Sequence, residues 1–101
     1  MNNTIALLKP EEVIGLYKIS IKTLRKLVDS GEIQGTRIGA SYRAVAPAEE
    51  ILTLEEVARE LRLSYKTVYE FVKAGRIPAH KLGCNWRITR SNVEKLKTDG
   101  I

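Results

Sequence analysis

Residues 52–75, LTLEEVARELRLSYKTVYEFVKAG, decide the fold. Thr53 followed by Glu56 is a Thr-x-x-Glu capping box, in which hydroxyl and carboxylate each satisfy a backbone N–H left open at a helix start. Leu54, Val57, Ala58 and Leu61 then recur at helical spacing, predicting a first helix to about Leu61. Ser64 is a second N-cap, opening a helix whose apolar stripe is Val68, Phe71 and Val72, and Gly75 supplies a left-handed residue at its end. Only Arg62 and Leu63 separate the two. Two short helices across so tight a turn predict a helix-turn-helix.

Downstream, residues 77–82 and 86–89 flank Gly83-Cys84-Asn85 and read as two short strands around a glycine-containing turn, a wing. Ser91 with Glu94 reads as another capping box, opening a last short helix through Val93 and Leu96. Upstream, sliding the chain by 44 positions places Leu8 on Leu52, Glu11, Glu12 and Val13 on Glu55, Glu56 and Val57, and Ser20, Lys22 and Thr23 on Ser64, Lys66 and Thr67. Val28, Gly31, Ile33, Gly39 and Arg43 fall on Val72, Gly75, Ile77, Gly83 and Arg87, which makes twelve identities in positions 8–47. Chance gives about two or three at ordinary residue frequencies, so the chain reads as a duplication.

The first copy has weaker punctuation. Pro10 suits the first turn of a helix reaching Tyr17, Ser20 caps a second helix carrying Leu24, Leu27 and Val28, and Gly31 ends it. Residues 33–38 and 42–46 form the matching wing around Gly39-Ala40-Ser41. Residues 47–51 are too short for more than about one helical turn. The expected fold is mainly α with small β-hairpin wings, a tandem winged helix-turn-helix. Its first unit spans 1–47, a short linker 48–52, and its second unit 53–101.

Composition narrows the class. Hydrophobic residues at 44% and charged residues at 29% describe a chain that folds rather than a disordered one. No apolar run nears the roughly 20 residues of a membrane span, and residues 1–10 lack the pattern of a signal peptide, so the expected location is the cytoplasm. The single cysteine, Cys84, builds no disulfide framework, and with only His80 nearby no metal site is expected. The net charge of +5 suits a polyanionic partner. Residues 1–51 hold seven Lys/Arg against six acids, for +1, and the remainder ten against six, for +4, placing most of the attraction in the second half.

With these motifs in order, the second unit resembles the excisionase and MerR-type winged-helix DNA-binding family. The resemblance lies in the run from Leu52 to Ala58, in Leu63-Ser64 and Thr67-Val68-Tyr69, in Gly75-Arg76-Ile77-Pro78-Ala79 and in Gly83-Cys84-Asn85-Trp86-Arg87-Ile88. The first unit is similar at Glu11-Glu12-Val13, Ser20, Thr23, Gly31-Glu32-Ile33 and Gly39-Ala40-Ser41-Tyr42-Arg43. It departs in lacking the proline after Ile33 and a full third helix. The resemblance implies that the helix opening at Ser64 enters the major groove of double-stranded DNA, exposing Tyr65, Lys66, Thr67, Tyr69 and Glu70. Ser64 and Lys66 suit phosphate or base contacts. Lys81, Asn85 and Arg87 belong to a wing placed for backbone or minor-groove contact, and Lys22, Arg25, Arg37 and Arg43 are the first unit's counterparts.

Each assignment has a plainer alternative. Tyr65 and Tyr69 are also readable as half-buried packing residues, and Lys66 as a solvated charge. Trp86 reads as a core plug anchoring the wing rather than a base-stacking residue. The paired acids Glu11/Glu12, Glu49/Glu50 and Glu55/Glu56 sit at expected helix starts, where the helix dipole accounts for them. No nucleophile-base set or phosphate loop competes, so neither enzymatic activity nor a cofactor is expected. The sequence favours sequence-specific DNA binding as an accessory (excisionase-like) or transcription-regulatory factor, with a recombinase or other DNA-processing protein as a further partner. The alternatives are an interaction module that has lost DNA binding, and a recognition subunit of a nucleic-acid enzyme. A head-to-tail duplication implies half-sites in direct rather than inverted orientation.

Overall fold

Start signals in the sequence set the helices. In the computed structural model, which describes residues 6–101, Pro10 opens α1 (Pro10–Tyr17). Ser20 caps α2 (Ile21–Ser30), its Oγ accepting from the Thr23 N–H at 3.1 Å. Lys9, in the N-cap position of α1, cannot accept, so only the reverse half of a capping box forms, with Glu12 Oε1 accepting from the Lys9 N–H at 3.0 Å. A hairpin of β1 (Gly35–Ile38) and β2 (Ser41–Ala44) follows, and Leu8 bridges to Ala44 beside it. Val13, Leu24, Leu27, Ile33, Tyr42 and Ala44 fill the core beneath.

A compact unit ends at Ala48, and a second spans Glu49–Ile101. Residues 1–5 of the expected first unit, the start of the segment read as lacking a signal peptide, lie outside the described residues. The second unit starts with β3 (Ile51–Leu52), followed by α3 (Leu54–Leu61) and α4 (Tyr65–Lys73). The wing strands β4 (His80–Leu82) and β5 (Asn85–Thr89) come next, and α5 (Arg90–Asp99) closes the chain. The Thr53 box closes in both directions, Thr53 Oγ1 accepting from the Glu56 N–H at 3.2 Å and Glu56 Oε1 from the Thr53 N–H at 2.8 Å. The antiparallel sheet has the order β3-β5-β4. Its core gathers Leu52, Leu54, Val57, Val68, Ile77, Ile88 and Val93, most of them wholly removed from water, each worth about 1.5–3 kcal/mol when fully buried.

Local features recur 44 positions apart. Lys18 and Arg62 end the first helix of each unit in the left-handed region, at φ 58° and 56°, although neither is a glycine. Ser20 and Ser64 cap the second helices, and both hydroxyls donate to the threonine three residues on. Leu8 meets Ala44 as Leu52 meets Ile88. Arg43 and Arg87 each turn back to the carbonyl of the preceding aromatic residue, at 3.0 and 2.7 Å.

Three expectations are corrected. Residues 48–52 are not a linker throughout, because Ile51 and Leu52 pair with Thr89 and Ile88. Ser91 does not cap the last helix: Thr89 does, accepting from the Asn92 N–H at 3.4 Å, while the Ser91 N–H and hydroxyl both donate to Glu49 at 2.7 and 3.0 Å. Glu49 and Glu50 therefore precede a strand, not a helix, yet Glu49 still meets a helix N-terminus, that of α5, across the fold. Glu94, the expected box partner of Ser91, binds Arg90 and Lys97 instead, at 2.9 and 3.1 Å. Among the described residues no helix is long and apolar enough to cross a membrane.

Candidate nucleic-acid interface

The stripe of Val68 and Val72 holds α4 against the core, which turns the opposite side of the helix to solvent. Tyr65 is 48% and Tyr69 37% exposed, Lys66 and Glu70 are exposed as well, and Thr67 is half-buried. The tyrosines are not packing residues. Four positions apart, their rings stack on each other with centroids 6.2 Å apart and planes 10° from parallel. The Lys73 ammonium stands 5.5 Å from the centre of the Tyr69 ring.

The turn between α3 and α4 makes this presentation rigid. Arg62 takes the left-handed conformation, and the Leu63 N–H returns to the Ala58 carbonyl at 2.9 Å, so the chain reverses without a flexible loop. Ser64 is less available than the sequence implied. Its hydroxyl donates to Thr67 Oγ1 at 2.8 Å and accepts from the Thr67 N–H at 3.1 Å. What the pair offers outward is the Thr67 hydroxyl proton.

On the wing, Lys81 pairs with Trp86 and His80 with Arg87, so Arg87 lies across from His80 rather than from Lys81. The Lys81 ammonium sits 5.2 Å from the centre of the indole ring. Trp86 is not a plug sealed inside the core. It is half-buried, with part of the ring packed on the core cluster and part lining an open cleft. Arg87 is also half-buried. Burial pushes its guanidinium below the usual value, and the charges of Glu55 and Glu56 act against that shift.

Helix and wing meet at that cleft, of about 210 Å³, lined by Tyr65, Tyr69, Lys81, Asn85, Trp86 and Arg87 together with Leu54, Glu55 and Cys84. Of the sequence-predicted residues, Tyr65, Tyr69, Lys81, Asn85 and Arg87 come together here. Lys66 stands on the same helix without lining the cleft. Glu55 and the exposed Cys84 were missed as cleft residues, Glu55 because its place near the start of α3 already accounted for it. The spacing of Glu55 gave no sign that α3 would turn it toward the wing.

In the first unit Lys22 and Arg25 are exposed on α2, and Arg37 is exposed on β1 with its guanidinium 5.8 Å from the centre of the Tyr42 ring. Arg43 is half-buried, donating to Ser41 Oγ at 2.7 Å and to the Tyr42 carbonyl at 3.0 Å. Tyr42 in turn donates its hydroxyl to Asp29, whose two carboxylate oxygens each lie 3.2 Å away.

Two helices joined by a tight turn, with a hairpin beside the second, define a helix-turn-helix class. Residues 51–100 match a family model described as a helix-turn-helix domain, so the second unit is a domain of that class. The match points to DNA binding. Among curated proteins and among solved structures no match is found.

Proposed function

We propose that the chain binds double-stranded DNA sequence-specifically, as an excisionase-like accessory factor or a transcription regulator acting in the cytoplasm, without catalytic activity or a cofactor. In this reading α4 enters the major groove through Ser64, Tyr65, Lys66, Thr67 and Tyr69, and the β4–β5 wing follows the backbone or minor groove through Lys81, Asn85 and Arg87. The first unit is a second, tandem and degenerate copy of the same excisionase/MerR-type plan, with Lys22, Arg25, Arg37 and Arg43 as its contacts. The supporting observation is the convergence of an exposed helix face and a basic wing on one cleft. Electrophoretic shifts of genomic fragments at two salt concentrations test it: binding that weakens as salt rises supports the reading, and no shift at low salt refutes it.

One observation favours a protein partner instead. Two exposed, mutually stacked tyrosines beside an acidic residue form the kind of rigid aromatic anchor that protein interfaces use. Absence of duplex binding together with a defined protein complex lost on Tyr65→Ala would favour that module, and a recombinase or another DNA-processing protein is the partner to try first.

A further inference from the structure

The charge division changes once the structural boundary replaces the midpoint of the chain. Glu49 and Glu50 belong to the second unit, where Glu49 holds Ser91 and Glu50 holds Arg90. The first unit, through Ala48, then carries seven Lys/Arg against four acids, for +3, and the second carries ten against eight, for +2. The first unit therefore carries the larger net positive charge, by one.

The grouping of the cations differs as well. In the second unit Arg90 is ion-paired with Glu50, Glu60 and Glu94 at 2.7–3.0 Å, and Lys97 with Glu60 and Glu94 at 2.8 and 3.1 Å. In the first, α2 carries Lys22, Arg25 and Lys26, all exposed. Positions i, i+3 and i+4 share one face of a helix. None of the three makes an ion pair among the described residues, and the one acid on the helix, Asp29, is engaged by the Tyr42 hydroxyl. The corresponding face of α4 has Lys66, Lys73, two tyrosines and Glu70, a composition able to discriminate between bases, with two cations against one acid.

We propose that the two units divide the work: α2 anchors the DNA phosphate backbone through Lys22, Arg25 and Lys26 without reading sequence, and base reading is left to α4. This rests on the DNA-binding reading above and reverses the sequence-level ranking, which gave the second unit most of the affinity. Phosphates are favoured over an acidic protein because three cations lie on one helical turn with no aromatic side chain among them and only Ile21, at the rim beside Arg25, as exposed apolar surface, which matches a regular array of point charges.

The test uses the full chain with a mixed-sequence duplex titrated at several salt concentrations, comparing the parent with Lys22→Gln/Arg25→Gln/Lys26→Gln. Losing three phosphate contacts should lower the slope of log affinity against log salt by about 2–3, so that between 50 and 200 mM the parent loses about 40-fold more affinity than the variant. The base motif recovered from random duplexes should be the same for both. The charge-retaining Lys22→Arg/Arg25→Lys/Lys26→Arg variant should keep the parental slope. An unchanged slope in the glutamine variant, or a changed base motif, overturns the division while leaving DNA binding intact. No salt-sensitive binding by the parent overturns both.

Discussion

Trp86→Ala distinguishes a wing that is held by its tryptophan from one that merely carries it. The indole has two roles, packing on the core cluster from one side and lining the cleft beneath Lys81 from the other. Full burial of an aromatic side chain removes about 150–250 Å² from water. Because one side of this ring faces the cleft, somewhat less than the lower end applies, about 120 Å², and at about 25 cal/mol per Å² the expected loss is about 3 kcal/mol. A unit of this size has a total stability of about 3–8 kcal/mol, so the variant should be near its folding threshold. At about 4–8 °C per kcal/mol, its melting temperature by far-ultraviolet circular dichroism should fall by at least about 12 °C. Trp86→Phe keeps an aromatic ring over the core and under Lys81 and should lose about a third as much. DNA affinity should follow the folded fraction in both variants. A Trp86→Ala protein that melts with the parent but no longer binds duplexes would refute the reasoning and make the ring a contact surface.

Other perturbations address other parts of the fold. Gly35→Ala should destabilise the first unit by about 2 kcal/mol in chemical denaturation, because the new Cβ would lie 2.4 Å from the Arg43 carbonyl oxygen and 3.0 Å from the Ala44 Cα, and neither backbone atom yields cheaply; a neutral result would show that β1 and β2 can separate freely. Ser64→Ala leaves the Thr67 N–H without its acceptor and should cost about 1 kcal/mol, whereas Ser64→Gly should cost a few tenths; equal losses would mean that the cap contributes nothing. Hydrogen bonds from Arg90 and then Lys97 hold the Glu60 carboxyl down to about 2, from 4.5. A depressed folded-state value stabilises above the unfolded one and is lost as pH falls from about 4.5 toward 2, so Glu60→Gln should flatten the acid decline in melting temperature over that range, and a parallel decline in both proteins would remove the role.

How far the sequence could be read depended on whether the deciding contact was local. Thr53 with Glu56, Ser64 with Thr67, and Gly75 act within a few residues, and the apolar stripes have one period, so α1 to α4 and both hairpins follow from the chain itself. The Ser91–Glu94 pair fits the same local rule and misleads, because Glu49, more than forty residues earlier, takes the Ser91 hydroxyl and leaves the cap to Thr89. The cleft was half legible. Exposure of Tyr65 and Tyr69 follows from the Val68 and Val72 stripe, but the stacking of the two rings and the approach of Glu55 to Arg87 depend on tertiary placement that spacing does not encode. The charge count shifted because it divided the chain at residue 51, near its midpoint, whereas Glu49 and Glu50 make their contacts with the start of α5.

The pairings that fasten the opening segment of each unit to its last strand bear on how the chain emerges during synthesis. Leu8 to Ala44 and Leu52 to Ile88 both close a span of 36 residues. Two near-equivalent closures in one polypeptide create a hazard during refolding from denaturant, when Leu8 can reach the β5 position meant for Leu52 and trap an exchanged pairing. Translation removes most of that competition by order alone, because Ala44 becomes available to Leu8 before Ile88 has been made. Yields from denaturant should therefore fall short of those from the ribosome, and the shortfall should shrink when the units are refolded as separate fragments.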